Sequence, residues 1–239
     1  MKIYNAFGIK PTNTFTSAGS DYYIPNIINN DQATLALEAF KKSYNITDEA
    51  INNLLVLFKM EVTQDKYNLI NILHLYLALG NANLDELKET SLTESVLYFI
   101  DDYLIYDPKK NVYGIKLELN DTLFINSGIK VALPTANTGD IGIAGLYVNK
   151  SGMGNRGYDV RACLVDEDYS GYVHLSVAYT KDLYKDGKNI IYCGDKLTQM
   201  MLIPVFHTEY EEVTVDEYNK LMEESNRGDS GFGSSDVKH

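Results

Sequence analysis

The chain has 239 residues, 45% of them hydrophobic, enough for one or two packed domains. Its net charge of −12, from 33 acidic against 21 basic residues, argues against non-specific nucleic-acid binding, which relies on basic patches that neutralise phosphates. A small anionic substrate stays compatible with that balance, provided a few cations are concentrated locally.

Residues 1–23 contain no apolar core of a signal peptide, and no run approaches ~18 uncharged apolar residues, so neither a secretory leader nor a membrane helix is expected. Cys163 and Cys193 alone make neither a disulfide framework nor a zinc site, and a reducing, cytoplasmic setting follows as the expectation.

Residues 2–23 read as short strands and turns. From about Asn26 to Pro108 the pattern becomes helical. Asp31 is a candidate cap for a helix bearing Leu35, Leu37, Ala39 and Phe40. Thr47 precedes Asp48 and Glu49, acids suited to a first turn, and Ile51, Leu54, Leu55 and Phe58 recur at helical spacing. A third run, Leu69 to Leu79, ends at Gly80 and carries His74 as a satisfied core or interface histidine. Ser91-Leu92-Thr93-Glu94 reads as a capping box, followed by Val96, Phe99, Ile100, Tyr103 and Leu104 and stopped by Pro108. These stripes read as a small bundle packing on itself.

From Asn111 to about Tyr218 the alternation is strand-like: Ile115, Leu117 and Leu119 share a face, then an Asn120-Asp121 turn, Phe124 and Ile125, then Val173, Leu175 and Val177, then Met200, Leu202 and Pro204. Short strands with such punctuation predict a mainly β sandwich, barrel or jelly roll. The acid-rich stretch from Glu209 to Glu224 reads as a solvated face, and the last residues as a polar tail.

Four segments carry groups suited to a nucleotide. Ala18-Gly19-Ser20-Asp21 is the first. Lys150-Ser151-Gly152 offers a cation, a hydroxyl and an open backbone without Walker A spacing. Leu164-Val165 leads directly into Asp166, whose carboxylate at a strand end is placed to take a proton from water, and Tyr169-Ser170-Gly171 follows. In the tail, Arg227 can clamp a phosphate, Phe232 between glycines can stack on a base, and Gly233-Ser234-Ser235 offers donors. No metal motif and no Ser/His/Asp arrangement is evident.

In order, these segments resemble the five motifs of the trimeric dUTPase family. Residues 18–21 resemble motif one, Lys150-Ser151-Gly152 motif two, Leu164 to Gly171 motif three, Gly194-Asp195-Lys196-Leu197-Thr198-Gln199 motif four, and Arg227 to Ser235 motif five. The resemblance covers residues 1–26 and 111–235. It implies a jelly-roll-like β-barrel core at 1–26 and 111–220, an α-helical insertion at 27–110, and a flexible arm at 221–239. It also implies hydrolysis of dUTP to dUMP and pyrophosphate, with Asp166 activating the water that attacks the α-phosphate. Tyr169 would pack under the deoxyribose, with Cys163 on the uracil hairpin. Lys150, Ser151, Gly152 and Gln199 would hold phosphates. Arg227 would reach the γ-phosphate, and Phe232, Gly233 and Ser234 would close over the base. Magnesium would ride on the triphosphate, touched by Asp21 through water. Three subunits would share each site.

The sequence departs from the pattern at Lys150, where Arg is usual, and at Arg161-Ala162-Cys163, where small residues are usual. A dCTP deaminase, which shares the fold, would need Glu where Ser176 stands. The other alternative is a partner-binding module acting through residues 27–110. High Asn, Ile, Tyr and Lys usage fits an AT-rich, phage-like genome.

Overall fold

The computed structural model describes residues 1–57, 65–79, 92–134, 141–181 and 189–223. It forms two compact units, residues 1–205 and residues 206–239.

The first unit is mainly β. Its strands are β1 (Lys2–Asn5), β2 (Ser20–Tyr23), β3 (Leu104–Asp107), β4 (Val112–Lys116), β5 (Thr122–Ala132), β6 (Ile141–Asn149), β7 (Tyr158–Ala162), β8 (Leu164–Val165), β9 (Tyr172–Tyr179), β10 (Ile190–Tyr192) and β11 (Lys196–Phe206). They form two four-stranded sheets, ordered β1-β5-β9-β7 and β2-β11-β6-β8, and a three-stranded sheet β10-β4-β3. Sequence neighbours seldom pair, as a jelly-roll-like core requires. Val173, Leu175 and Val177 are buried as their alternation predicts. Ile115 and Leu117 are buried too, but β4 ends at Lys116 and Leu119 is exposed. The cause is the Asn120 turn, where Asn120 takes φ 75° and the Asp121 carboxylate accepts from the Glu118 N–H at 2.6 Å. Leu202 and Pro204 are likewise exposed, although Met200 is buried.

Helices α1 (Asn30–Tyr44), α2 (Asp48–Leu57), α3 (Asp65–Ala78) and α4 (Leu92–Asp102) lie between β2 and β3. Asn29, not Asp31, caps α1: its side chain accepts from the Gln32 N–H at 2.9 Å, and Asp31 sits in the first turn. Thr47 accepts from the Ala50 N–H at the start of α2. Gly80 and Ser91 fall outside the described residues. α4 stops at Asp102, and Leu104–Asp107 pairs with β4, so the helical pattern ends six residues before Pro108.

The helices do not pack only on one another. In α3, Leu69, Ile70, Ile72, Leu73, Leu75, Leu77 and Ala78 are all buried, the mark of a helix enclosed on nearly every side. It packs against β5 and β4, and helices and strands contribute to one continuous core. Each such Leu or Ile contributes ~1.5–3 kcal/mol on burial. Buried Asn71 of α3 accepts from the Ile27 N–H at 3.0 Å and donates to the Ile27 carbonyl at 2.9 Å, fixing the chain as it leaves β2.

The second unit contains a helix where strand or tail was expected, α5 of the first unit being the short turn Ser151–Asn155 and this one α6 (Val215–Leu221). Thr214 and Glu217 form a capping box, a Thr-x-x-Glu signal at positions 214–217 that the overall acidity obscures.

Candidate nucleotide site

Two groups of motif residues stand at different places in the first unit. The first forms around Asp21. Gln199 on β11 lies opposite Asp21 on β2. Lys150 donates to both carboxylate oxygens of Asp21, and the Lys196 ammonium stands 2.9 Å from Oδ2. The Asp21 side chain is only 14% exposed. Burial alone would raise its pKa, but the bonds from Lys150 and Lys196 outweigh burial and hold it below the ordinary value. Two ammonium groups against one carboxylate leave a local positive charge, suited to phosphate.

Local bonds place these residues. The Asn149 side chain donates to Asp159 at 3.0 Å and accepts from the Val160 N–H at 2.7 Å, tying the end of β6 to β7 just before Lys150. Ser151 and Gly152 are exposed in the first turn of α5, and a Cβ built on Gly152 meets nothing within 4 Å, so the backbone there is approachable. Gly194 turns with φ 88° and donates to the Ile24 carbonyl at 2.9 Å, which sets Lys196 and Gln199 beside β2.

The second group surrounds a half-open cavity of about 270 Å³. Asp166, Tyr169, Tyr147, Leu164, Phe124 and His174 are among the residues lining it. Asp166 is exposed and follows Val165, the last residue of β8, as the strand-end reading expects. The Tyr169 hydroxyl donates to the Tyr172 carbonyl at 2.8 Å. Its ring crosses Gly171 so closely that a Cβ there would lie 2.6 Å from Cζ, which is why the Tyr-x-Gly spacing matters. Cys163 is an exposed free thiol, and its carbonyl accepts from the Tyr147 N–H at 2.6 Å. Ser176 is buried in β9 opposite Phe124.

The two groups do not meet within one chain. Val165 pairs with Gly145, and Asp166 lies beyond it toward the start of β6. Lys150 follows the other end. Lys150 stands five positions beyond Gly145, ~17 Å of extended chain. Arg227, Phe232, Gly233 and Ser234 lie outside the described residues.

Sequence reasoning quoted Lys196 within motif four without giving it a role, and missed Tyr147, Phe124 and His174. Lys196 was readable from its place beside Gln199. The pairing of Phe124 with His174 was not, since 50 residues separate them and only the β5–β9 register brings them together.

Among the described residues no group of three or more His, Cys, Asp and Glu side chains is placed to hold a metal ion. Nor is any described helix long and apolar enough to cross a membrane. The buried histidine His74 is packed by Phe7 and Phe40, with ring centroids at 6.3 and 5.4 Å, and burial, reinforced by the charge of His174, pushes its pKa down to about 3. Neither of its ring nitrogens finds a hydrogen-bond partner among the described residues, so it is a core histidine but not the satisfied one expected.

The family profile for dUTPase matches residues 105–236, beginning after the four described helices α1–α4. A deoxyuridine 5'-triphosphate nucleotidohydrolase from Wigglesworthia glossinidia brevipalpis is 30% identical over 126 residues, covering 51% of this chain and 72% of that protein. One from Pseudomonas fluorescens is 32% identical over 124 residues, covering 50% and 71%. A solved structure of Staphylococcus bacteriophage 80alpha dUTPase with dUPNHPP aligns at 19% identity and a TM-score of 0.39, over 56% of this chain and 91% of that one. With more than half of its length matched by the profile, in the stretch that holds Lys150, Asp166, Tyr169 and Gln199, the chain belongs to the dUTPase family.

Proposed function

We propose that the protein hydrolyses dUTP to dUMP and pyrophosphate. The observation that supports this most directly is Asp166 at the end of β8, on the rim of the same cavity as Tyr169. In this reading Asp166 accepts a proton from water, the water oxygen bonds to the α-phosphorus, and the bond from that phosphorus to its bridging oxygen breaks to release pyrophosphate. Such base catalysis contributes roughly 10²–10⁴-fold. Tyr169 lies under the deoxyribose, with Cys163 beside the base. Lys150, Ser151, Gly152 and Gln199 hold the phosphates, and positioning plus electrostatic stabilisation supply most of the rate. Arg227, Phe232, Gly233 and Ser234 close over the bound nucleotide.

The ~17 Å between the two groups along β6 supports a site completed by neighbouring copies. A homotrimer sharing its sites is therefore part of the proposal. The residues do not fit a magnesium ion held by this chain: the charge of Asp21 is already taken by Lys150 and Lys196, so a contact through water is what it offers. Magnesium enters as part of the substrate, carried on the triphosphate. The reading treats residues 27–110 as an insertion, residues 221–239 as an arm, and the setting as cytoplasmic.

A pyrophosphate-release assay across the deoxynucleoside triphosphates, with Asp166→Asn beside wild type, tests the reading. Preference for dUTP and loss of turnover in the variant support it. Full activity in Asp166→Asn removes the mechanism, and preference for another nucleotide removes the substrate. Ammonia release from dCTP would favour deamination, for which buried Ser176 supplies no carboxylate.

A second reading, partner binding through the helices, is favoured by exposed Val56 and Leu57 on α2 and by exposed Leu97 and Tyr98 on α4. Leu97→Glu with Tyr98→Glu would then abolish partner capture while dUTP turnover persists.

A further inference from the structure

His174 and Tyr169 share one acceptor. The Tyr172 carbonyl receives the Tyr169 hydroxyl at 2.8 Å and lies 2.9 Å from His174 Nδ1. A carbonyl only accepts, so Nδ1 carries the proton and the tautomer is fixed. The carbonyl stands next to an irregular stretch of the sheet. The β5–β9 register shifts between Asn126 and Lys130, so four residues of β5 span two of β9. The bulge turns at Gly128, and Ser127 Oγ donates to the Val173 carbonyl at 2.7 Å. Within that shift Val173 has no register partner on β5 and a side chain donates to its carbonyl, while Tyr172 pairs with Lys130.

The imidazole is also held in plane. It stacks on Phe124, with ring centroids 4.6 Å apart and an interplanar angle of 6°. Phe124 faces Ser176 across the ladder, which makes His174 its diagonal neighbour two residues away. Both rings line the cavity that holds Asp166 and Tyr169.

We propose that His174 is a positioning residue for Tyr169: its Nδ1–H fills one lone pair of the Tyr172 carbonyl, its stacking on Phe124 fixes that bond, and together they hold the tyrosine ring at the angle that separates deoxyribonucleotides from ribonucleotides. This rests on Tyr169 being the surface under the sugar. With the second lone pair open to solvent, the carbonyl no longer imposes one direction on the Tyr169 hydroxyl, and the ring yields to a 2′-hydroxyl.

Three variants separate the bond from the bulk. His174→Asn keeps a donor near the position of Nδ1 and gives up the stack. His174→Phe keeps the stack and gives up the donor. Tyr169→Phe removes the other donor. Steady-state kinetics with dUTP and UTP are measured for each, with thermal melts to confirm folding. The expected result is that His174→Phe lowers the ratio of kcat/KM for dUTP over UTP by ~10-fold, about the worth of one hydrogen bond. The loss is carried by KM more than by kcat, and His174→Asn recovers most of it. His174→Phe combined with Tyr169→Phe should be no worse than Tyr169→Phe alone, since both act through one carbonyl. Wild-type discrimination in His174→Phe, or equal loss in Phe and Asn, overturns the proposal. Failure of the wild type to hydrolyse dUTP overturns instead the functional reading beneath it.

Discussion

Lys150 Nζ lies 2.9 Å from Asp21 Oδ1 and 3.1 Å from Oδ2, a bidentate contact that joins residues 129 positions apart. With Lys196 on the same carboxylate, a single half-buried acid fixes two cations at one edge of the β2–β11 pair.

Removing the acid frees both lysines. Asp21→Asn is expected to cost about 1.5–3 kcal/mol of unfolding free energy at pH 7, the range for hydrogen bonds to charged groups. The sign with pH follows from the depressed pKa. Below the ordinary carboxylate value the unfolded chain binds the proton more readily than the folded one, so this stabilisation is present above that value and fades as pH falls through the folded pKa. Urea titrations at pH 7 and pH 3 should therefore show the gap between wild type and Asp21→Asn shrinking in acid.

Lys150 is expected to matter to substrate more than to stability. Lys150→Ala should raise KM for dUTP ~10-fold or more, whereas Lys150→Arg should keep or lower it, because a guanidinium forks onto phosphate where an ammonium is a point charge. Initial-rate measurements check both.

His74 gives an acid sensitivity of its own. Its folded pKa lies near 3 against an ordinary 6.5, so the unfolded state takes up the proton first as pH falls between those values. Stability contributed by the neutral form is present above 6.5 and lost toward 3, at up to about 1.4 kcal/mol per pH unit. His74→Phe should remove this slope. Denaturant unfolding at pH 7 and pH 5 would show wild type losing more than the variant. An equal loss in both would mean that the ring is not buried as described.

Gly128 at the β5 bulge is expected to tolerate no side chain. Its φ is 71°, and a Cβ would lie 2.7 Å from Phe7 Cδ2 and closer still to the Gly8 backbone nitrogen. Gly128→Ala should cost about 2 kcal/mol or more, because the conformation and the space are both unsuitable. A thermal melt reads this directly.

Deleting residues 27–110 is expected to yield insoluble protein and not a trimmed enzyme. The deletion strips α3 from β4 and β5 and removes β3 from its sheet, exposing Leu123, Ile125 and Ile115. Soluble, cooperatively folding protein from this deletion would show that the helices are dispensable.

The sequence made some of this architecture readable. Alternation found β9 because Val173, Leu175 and Val177 face one core. It misread Leu119, since a turn residue with positive φ ends the face before that position. The helices were legible from periodicity, but their destination was not. An apolar run such as Leu69 to Leu79 looks the same whether it meets another helix or a sheet, and here it meets β5. Motif segments marked Asp21, Lys150, Asp166 and Tyr169. They did not reveal that Asp21 and Lys150 form an ion pair, or that a histidine 50 residues from Phe124 stacks on it, because cross-strand register decides both.

The length of β6 has one last consequence. With Asp166, the proposed base, beside the middle of β6 and Lys150, a proposed phosphate cation, just beyond its end, each chain would contribute to two different sites in the proposed trimer. Two crippled proteins, one carrying Asp166→Asn and one carrying Lys150→Ala, should then regain turnover when unfolded and refolded together, because some mixed assemblies contain an intact pairing. Refolded separately and blended afterwards, they should stay silent until subunits exchange, and specific activity of the wild type should decline on extreme dilution.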